Sequence, residues 1–450
     1  MSQKFNRRDF VKKSGTLATG IVAGATILTQ TNIPRVHAAE DNTINVGLVG
    51  CGGRGGGAVM QALSTKGPKK LVALGDILPN RLNNVLKGTT QNFTDKSDVQ
   101  IDVPQDRQFI GFDAYKKVVE AVGKGGVVLF ATPPVFRPLH VEHAVENGVH
   151  VFMEKSFAVD APGVRRMLET GKKADEKGIK VVGGTEYHYS VSNAAAVEEI
   201  RKGIIGEPNV VFSYRTHQAV KENKRQAGES ELVYQIRNYN VFTWVNGSMY
   251  QDYLIHNHDI AVWAMGMFPI SAQGSGGRAI PVKSGTTFDH YAVEYTFPNG
   301  ARMVAQFRHQ DKCWSYRKVE VFGGKGIAYL GEHIKTPTIY KGFAPTKENL
   351  IWTQTDRENP FQVEHDVLFD AIRNDKKHND IERCAKVSMT AILGRMAVFS
   401  GQNITWDEAL GSNFKLCPNL DELTFDSEPP VLPDENGNYP LAIPGQTVTV

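Results

Sequence analysis

Residues 50–55 read Gly-Cys-Gly-Gly-Arg-Gly, and this loop directly follows a short, apolar and β-branched run at residues 43–50. The segment after the loop has helical composition. A Gly-x-Gly-x-x-Gly pattern requires this order, because Gly50 permits a tight turn, Gly52 lets backbone approach a pyrophosphate and Gly55 lets helix pack on strand. The sequence therefore predicts a dinucleotide-binding unit that holds the phosphates at a helix N-terminus.

A second apolar run, at residues 71–75, ends in Asp76, about 20 residues after the glycine loop. A carboxylate at this position can accept hydrogen bonds from the adenosine ribose hydroxyls. It favours NAD over NADP because a 2′-phosphate would meet a like charge, although Arg81 nearby keeps NADP possible. The alternative is a merely structural glycine turn, and the presence of both strand and acid argues against it.

Two further predicted strands end in residues that suit a cofactor site. The run at 126–131 ends in Thr132 and Pro133, and the run at 150–153 ends in Glu154 and Lys155. Ligands of a doubly wound sheet lie at the carboxyl ends of its strands, so these ends should border a nicotinamide. The predicted cofactor-binding residues are Gly50, Gly52, Gly53, Arg54, Gly55, Asp76, Arg81, Thr132, Pro133, Glu154 and Lys155.

The first 38 residues have the three parts of an export signal: a basic stretch, an uncharged run at 15–28 and a small-residue cleavage site at 36–38. The uncharged run is too short and too diluted by Gly and Thr to span a bilayer permanently. The Arg7-Arg8 pair is typical of the twin-arginine type, which carries folded proteins. Export to the periplasm or beyond is favoured over the alternative, a basic amphipathic helix of a cytoplasmic protein.

Export and nucleotide binding together constrain the cofactor. A nicotinamide enzyme normally depends on a soluble pool that other enzymes recycle, and no such pool is expected outside the inner membrane. The two features agree if the protein folds around its cofactor before it crosses. We therefore expect a tightly bound NAD that the protein's own reaction regenerates.

Composition narrows the class of protein further. The signal carries six basic residues and one acidic residue, so its removal takes the formal net charge from +3 to about −2. This leaves no electrostatic case for nucleic-acid binding. The four cysteines are widely spaced without a Cys-x-x-Cys pair, so neither a zinc site nor a disulfide framework is indicated.

The chain after the signal is long enough for two domains. Strands are predicted at 180–183, 291–297, 303–307 and 319–322, with Asn299-Gly300 as a hairpin turn, and helices at 161–177, 363–374 and 382–400. The predicted divisions are a signal at 1–38, a nucleotide domain at 42–160, a second α/β domain at 161–415 and an extended tail at 416–450. The tail could be an arm to another subunit.

Six short motifs are distributed along the chain. They are the loop at 50–55, Ala-Thr-Pro-Pro at 131–134, Glu-Lys at 154–155, Gly203 to Gly206 after a helix, Asp252-x-x-x-His256-x-x-Asp259-x-x-x-Trp263, and Ala391-Ile-Leu-Gly-Arg-Met. Together they resemble the Gfo/Idh/MocA family, which includes glucose-fructose oxidoreductase and inositol dehydrogenase. The resemblance implies an α/β fold with a doubly wound parallel Rossmann sheet, followed by a domain with an open, mostly antiparallel sheet. That second sheet is implied to carry the substrate site and often an oligomer interface.

The resemblance also implies that Lys155 is the active-site lysine and that Asp252 and His256 are the catalytic pair. Two positions depart from the family pattern. Ser156 stands where the family usually has proline, and Tyr187-His188 replaces a pair that often contains arginine. The resemblance therefore gives no reason to expect an anionic substrate.

Oxidation of a sugar hydroxyl needs a base for the hydroxyl proton and a hydride acceptor on the adjacent face. His256 suits the base because its ordinary pKa lies near neutral pH, and Asp252, one helical turn earlier, could orient the ring. Lys155 could hydrogen-bond the reacting oxygen. The alternative is that His256 and Asp259 merely pair within a polar helix face.

Substrate contacts are predicted from Lys155, His188, Arg237, Asn257 and His256. The segment at 225–244 is rich in Arg, Asn and aromatic residues, which suits either a carbohydrate or a loop packed on a partner subunit. His258 lies on another helix face and is expected to be a bystander. A metal site is not predicted, because an α-helix places the imidazoles of His256 and His258 about 200° apart.

Three functions remain from the sequence. The first is an exported oxidoreductase that acts on a sugar, cyclitol or glycoside with a tightly held NAD(P), as a homodimer or homotetramer. The second is a redox-neutral lyase or hydrolase that cleaves glycosides through transient oxidation at C3. The third is a non-catalytic sugar-binding protein, and the presence of Lys155, Asp252 and His256 argues against it.

Overall fold

The structure, a computed structural model, describes residues 42–280, 285–331, 336–355 and 358–449. The predicted export signal therefore lies outside the described residues. Two sheets with their helices account for the described chain.

The first sheet is entirely parallel, with strand order β3-β2-β1-β5-β6-β7 and with β4 beside β2. Its strands are β1 (Ile44–Val49), β2 (Lys69–Asp76), β3 (Val99–Ile101), β4 (Gln108–Ile110), β5 (Val127–Phe130), β6 (His150–Glu154) and β7 (Val181–Gly184). Its helices are α1 (Gly53–Leu63), α2 (Pro79–Phe93), α3 (Ala114–Val122), α4 (Arg137–Glu146) and α5 (Ala161–Glu176). Every residue of β5 is buried, as expected for a parallel strand that helices cover on both faces. The doubly wound fold predicted for this half is confirmed.

The parallel sheet continues beyond residue 160, where the sequence divided the domains. After β6, helix α5 crosses back and β7 pairs with β6 in parallel. A crossover of this length is what a parallel pair of strands requires. Residues 161–184 therefore belong structurally to the first sheet, although their sequence also suits the start of a new domain.

The second sheet has nine strands in the order β15-β14-β13-β12-β8-β11-β10-β9-β16. Its strands are β8 (Pro208–His217), β9 (Ser271–Gly277), β10 (His290–Thr296), β11 (Arg302–His309), β12 (Tyr316–Gly323), β13 (Gly326–Leu330), β14 (Thr338–Lys341), β15 (Leu350–Thr353) and β16 (Ile404–Thr405). All neighbours are antiparallel except β8 and β11. Burial alternates along β11, so one face is covered and the other is open. The predicted open, mostly antiparallel sheet is confirmed.

The helices of the second half are α6 (Val191–Arg201), α7 (Glu231–Arg237), α8 (Thr243–Asn246), α9 (Met249–Met265), α10 (Pro360–Arg373), α11 (Ile381–Ser400) and α12 (Trp406–Gly411). Of these, α9 and α11 pack most extensively on one face of the second sheet. Helix α9 begins where the Ser248 side chain accepts a hydrogen bond from the Gln251 amide, and it ends at Gly266, which is left-handed. Helix α10 returns to the first domain and packs on α1 and β7. The two sheets are thereby joined by helix packing as well as by the chain.

The motif at 391–396 serves this packing. A side chain at Gly394 would overlap the Tyr295 hydroxyl, so only glycine lets α11 approach the second sheet this closely. Arg395 is buried and donates to the carbonyl oxygens of Val159 and Gly247, both at 2.7 Å. The motif therefore ties α11 to the segments before α5 and α9.

The tail after residue 415 lies over α7 and α8 of its own chain. Cys417, Leu423 and Tyr439 are buried in a cluster with residues of those helices. The Tyr439 hydroxyl donates to Glu231 at 2.5 Å. No helix of the described ranges is long and apolar enough to cross a membrane.

Candidate active site

A cleft of about 880 Å³ lies at the carboxyl ends of the first sheet's strands and reaches α9. Its wall includes every predicted cofactor-binding residue, from Gly50 to Lys155, together with the predicted catalytic residues Asp252 and His256. This is where the strand-end rule places ligands of a doubly wound sheet. The cleft therefore brings the two predicted groups of residues together.

The glycine loop has the shape that a close approach of backbone requires. Gly50 has a φ of +95°, and a Cβ there would lie 2.6 Å from the carbonyl carbon of Ala131. A Cβ on Gly55 would overlap the carbonyl oxygen of Gly50. In contrast, a Cβ on Gly53 would meet no atom within 4 Å. The loop is thus packed tightly on its inner side and bare on the side that faces the cleft.

The first turn of α1 suits a phosphate. Gly52 is the N-cap residue and no side chain caps the helix. The amide groups of this turn therefore point into the cleft without a side-chain acceptor, which fits an anionic pyrophosphate.

Asp76 braces the same loop. Its Oδ2 accepts a hydrogen bond from the Cys51 amide at 2.6 Å and its Oδ1 accepts one from the Leu78 amide at 2.9 Å. Each carboxylate oxygen retains a second acceptor position, which fits ribose hydroxyls. Burial raises the pKa of Asp76, while the two amide donors oppose that change. The loop, the uncapped helix and Asp76 together fit a dinucleotide.

Arg137, which is not among the predicted site residues, fixes the opposite wall of the cleft. It is fully buried and donates to the carbonyl oxygens of Phe130 at 2.6 Å and Thr132 at 2.5 Å. Burial lowers its pKa to about 10. The strand end that carries Thr132 and Pro133 is therefore held by a residue six positions beyond the predicted strand, which no motif marked.

Arg54 lines the cleft, but its guanidinium is held by carboxylates of the protein. It pairs with Glu154 at the end of β6 and with Glu364 of α10, the latter at 3.1 Å. Glu364 is completely buried, and burial raises its pKa while Arg54 opposes that change. The Arg54 side chain thus links the first domain to α10, and its contribution to a phosphate site would come from the backbone.

Lys155 and Asp252 form an ion pair at the inner end of the cleft. The Lys155 Nζ lies 3.0 Å from Oδ1 of Asp252 and donates to the Asp252 carbonyl oxygen at 2.7 Å. Side-chain exposure is 20% for Lys155 and 3% for Asp252, so the ammonium faces the cleft and the carboxylate lies behind it. The helical spacing of Asp252 and His256 predicted that Asp252 orients the imidazole, and the structure corrects this because the partner of Asp252 is Lys155.

The carboxylate nearest the imidazole of His256 is Glu186. Its Oε2 lies 3.2 Å from Nδ1, without the angle of a hydrogen bond. Burial lowers the pKa of His256 well below its ordinary value, and the cations Lys155 and Arg215 add to this. Burial, with Glu154 nearby, raises the pKa of Glu186 to about 7. Glu186 follows β7, so the strand-end rule could have selected it once that strand was assigned to the first sheet.

Further side chains of the second domain close the inner end of the cleft. Arg215 of β8 lies with its guanidinium 5.1 Å from the centre of the Tyr253 ring, and both residues line the wall. Ile236 and Tyr239 line it as well, so the segment at 225–244 does reach the site. Arg215 is not among the predicted site residues because no strand was predicted at 208–217.

His188 lies outside the cleft wall. Its Nδ1 is 2.9 Å from Oδ2 of Asp259, and its ring stacks on Trp263 at 4.0 Å between centroids. Asp259 also pairs with Arg383 at 2.6 Å. These contacts join the segment after β7 to α9 and α11, so the predicted residues His188 and Asp259 hold the scaffold of the site.

Arg237 and Asn257 also lie outside the cleft wall. Arg237, the last residue of α7, pairs with Glu229 just before that helix. Asn257 is fully buried and donates to the carbonyl oxygens of Tyr214 at 3.0 Å and Lys318 at 3.3 Å. Asn257 faces the second sheet because α9 turns it away from the Asp252 side. Neither side chain is placed to touch a substrate in the cleft.

His258 points into the core, as its helix position suggested. Its Nε2 lies 3.1 Å from the Tyr250 hydroxyl, and burial lowers its pKa to about 3. In the described ranges, His, Cys, Asp and Glu side chains form no group of three that could hold a metal ion.

Comparisons with known proteins indicate a family for the nucleotide-binding part of the chain. Residues 44–182 match the Gfo/Idh/MocA family, described as an oxidoreductase family with an NAD-binding Rossmann fold. An inositol 2-dehydrogenase from Burkholderia cenocepacia is 22% identical over 329 residues, which are 73% of this chain and 85% of that protein. A glycosyl hydrolase family 109 protein from Shewanella pealeana is 24% identical over 217 residues, which are 45% of this chain and only 44% of that protein.

The fold recurs in solved structures. The aldose-aldose oxidoreductase of Caulobacter crescentus in complex with glycerol aligns with a TM-score of 0.62 at 15% identity, over 81% of this chain and 99% of that one. At this identity the likeness is one of fold. The match at residues 44–182 and the inositol 2-dehydrogenase relative support the Gfo/Idh/MocA family and its NAD-binding Rossmann fold. The chain spans only about half the length of the first curated relatives that it matches.

Proposed function

We propose that this protein is an exported oxidoreductase that acts on a hydroxyl group of a sugar, cyclitol or glycoside with a tightly held NAD. The observation that carries the proposal is the meeting of Lys155, Asp252 and His256 at the inner end of a cleft whose outer part fits a dinucleotide. The inositol 2-dehydrogenase among the relatives supports a polyhydroxylated substrate.

A bound nicotinamide would supply the hydride acceptor for the substrate carbon. The protein's own residues handle the hydroxyl proton. An ammonium has three donors, and Asp252 engages Lys155 through its carboxylate and its carbonyl oxygen, so one donor remains for the substrate oxygen. Its positive charge would stabilise the developing alkoxide. His256 is neutral near pH 7 because burial lowers its pKa, so its imidazole can accept the hydroxyl proton.

Export and cofactor recycling belong to the same proposal. The Arg7-Arg8 signal supports export of the folded protein with its cofactor inside. A trapped cofactor must be regenerated where it is, and oxidation of one sugar with reduction of another would do this. The aldose-aldose oxidoreductase of the same fold supports such a reaction.

The proposal is tested on the protein purified from the periplasmic fraction of its host after gel filtration. We expect a bound nucleotide whose mass is that of NAD rather than NADP, and an absorbance change at the nicotinamide band when candidate sugars are added. Product analysis should find a keto-sugar and a polyol in equal amounts. A protein without nucleotide and without turnover on any sugar tested would refute the proposal.

The redox-neutral alternative has one observation in its favour, the glycosyl hydrolase family 109 relative. It predicts cleavage of a glycoside without net oxidation or reduction in the same assay. Cleavage products with no keto-sugar would favour this alternative over the oxidoreductase.

The open face of the second sheet supports a homo-oligomer. Its strands and the segments beside them present a group of aromatic side chains, here called the aromatic face. It consists of Phe212, Tyr214, Trp314, Tyr316, Phe322, Tyr329, Tyr340 and Phe343. Trp314 and Phe343 are 64% and 62% exposed. Large exposed apolar patches on proteins mark interaction sites. We propose that a second copy of the chain covers this face.

Replacing Phe343 by glutamate is expected to convert a dimer or tetramer to monomers, because a charge would be buried in an apolar interface. Light scattering coupled to gel filtration measures the change. Phe414→Glu is the control, since Phe414 is 48% exposed but lies outside the sheet. A wild-type monomer, or equal behaviour of the two variants, would contradict the proposal.

A further inference from the structure

The imidazole of His256 lies where a positive charge is costly. It is buried, and the cations Lys155, Arg215 and Arg54 all lower its pKa. A base that accepts the hydroxyl proton must nevertheless become an imidazolium during the reaction. It therefore needs an anionic partner inside the site.

Two carboxylates are close enough to be considered. Asp252 stands one helical turn before His256, but its carboxylate is engaged by the Lys155 ammonium at 3.0 Å. Glu186 comes from the segment after β7, and its Oε2 lies 3.2 Å from Nδ1 of His256. The His256 ring packs edge-on against Tyr187 at 5.1 Å between ring centroids. The 3.2 Å separation of Nδ1 and Oε2 is within hydrogen-bond distance, so a hydrogen bond requires only that the two groups come into line.

We propose that Glu186 positions His256, accepting a hydrogen bond from Nδ1 so that Nε2 is the atom that takes the substrate proton. The proposal rests on the function proposed above. The hydroxyl proton moves to Nε2, the Nδ1 proton stays on its nitrogen, and a neutral imidazole beside a carboxylate becomes an imidazolium–carboxylate pair. When the second sugar is reduced, the same proton returns from Nε2 to its carbonyl oxygen, so the pair ends each cycle as it began.

The surroundings of Glu186 set the pH range in which this works. The charged and titratable groups that face it are Glu154 at the end of β6 and Lys155 just after it, Arg54 of α1, Tyr187 beside it, Arg215 of β8, His256 of α9 and Glu364 of α10. Burial and Glu154 raise the pKa of Glu186 to about 7. Above that pH the carboxylate is ionised and can balance the imidazolium. Below it Glu186 is protonated, so turnover should fall as the pH drops through about 7.

The Glu186→Gln variant tests the proposal, because glutamine keeps the size of the side chain and removes its charge. We expect kcat to fall by about 10²-fold with KM little changed. The fall of activity below neutral pH should also disappear, since no carboxylate remains to be protonated beside His256. Glu186→Asp should recover part of the rate together with an acid limb. Glu186 and His256 titrate as a coupled pair, so the wild-type pH profile alone does not assign the acid limb to one of them. Loss of that limb in Glu186→Gln assigns it to Glu186.

A second measurement does not depend on turnover. Nitrogen chemical shifts of ¹⁵N-histidine in the purified holoprotein report the tautomer of His256, whose signals are those that vanish in His256→Gln. We expect a proton on Nδ1 in the wild type and a changed tautomer ratio in Glu186→Gln. Asp252→Asn is the matched control and should leave the His256 signals in place.

The outcomes are distinct. Wild-type nitrogen shifts and a wild-type pH profile in Glu186→Gln would overturn the role of Glu186. Shifts that move in Asp252→Asn instead would return that role to Asp252. If the protein turned over no sugar at all, the function proposed above would fail, and the nitrogen shifts would still decide which carboxylate holds His256.

Discussion

Replacing Lys155 by methionine is expected to lower kcat by about 10³-fold while the bound nucleotide is retained. Methionine keeps most of the length and apolar surface of lysine but has no donor and no charge. The developing alkoxide would lose the group that stabilises it. The nucleotide should stay, because the phosphate and ribose contacts come from the glycine loop and Asp76 at the other end of the cleft.

Loss of the ammonium also leaves the Asp252 carboxylate, at 3% exposure, without its partner. The assay must therefore separate a chemical effect from a folding effect. Tm, the nucleotide content after gel filtration, and kcat are measured on the same preparation. Lys172→Met is the control, since Lys172 pairs with Glu169 on the exposed side of α5. A rate near that of the wild type would remove Lys155 from the mechanism.

The cofactor-binding part of the site could be predicted from short stretches of sequence. Its backbone path depends on the glycines, on the apolar strand before them and on the acid at the end of the next strand. Gly50, Gly55 and Asp76 accordingly occupy the places that the pattern requires. Long, regular helices were also predictable, because the periodic spacing of their apolar residues determines them. Helix α11 ends at Ser400, where the predicted helix at 382–400 ends.

The catalytic part of the site was predicted less completely, because its contacts join residues that are far apart in the chain. The spacing of Asp252 and His256 places them on one helix face, but it does not say which cation or carboxylate arrives from elsewhere. Lys155 follows β6 and Glu186 follows β7, and the positions of both were needed to identify the partners of Asp252 and His256. Arg215 was not predicted because it lies on β8, a strand that the sequence did not indicate.

The residues placed incorrectly near a substrate share a physical cause. His188, Arg237 and Asn257 are polar, and near the motifs they suggested recognition of hydroxyl groups. In the fold each satisfies a buried or interfacial partner: a carboxylate for His188 and Arg237, and carbonyl oxygens for Asn257. Polar side chains that hold a scaffold and those that bind a ligand have the same sequence signature.

Replacing Gly55 by alanine is expected to destabilise the first domain by about 1–3 kcal/mol and to abolish nucleotide retention. The added Cβ would overlap the Gly50 carbonyl oxygen and lie 3.2 Å from the Cβ of Ala131. The obstacle is backbone of the loop itself, so it cannot rotate away as a side chain would. Helix α1 must move off β1, and its first-turn amides would then leave the position in which they meet a phosphate.

Gly53→Ala is the matched control in the same loop, because a Cβ there meets no atom within 4 Å. In the helical first turn this change should leave Tm unchanged or raise it slightly, since alanine restricts the unfolded chain more than glycine does. Thermal unfolding of both variants after removal of nucleotide measures the packing effect alone, and nucleotide content of the untreated proteins measures the binding effect. Equal Tm values for Gly55→Ala and the wild type would mean that α1 can move without a loss of stability. Glycine at position 55 would then be required for nucleotide contact and not for helix packing.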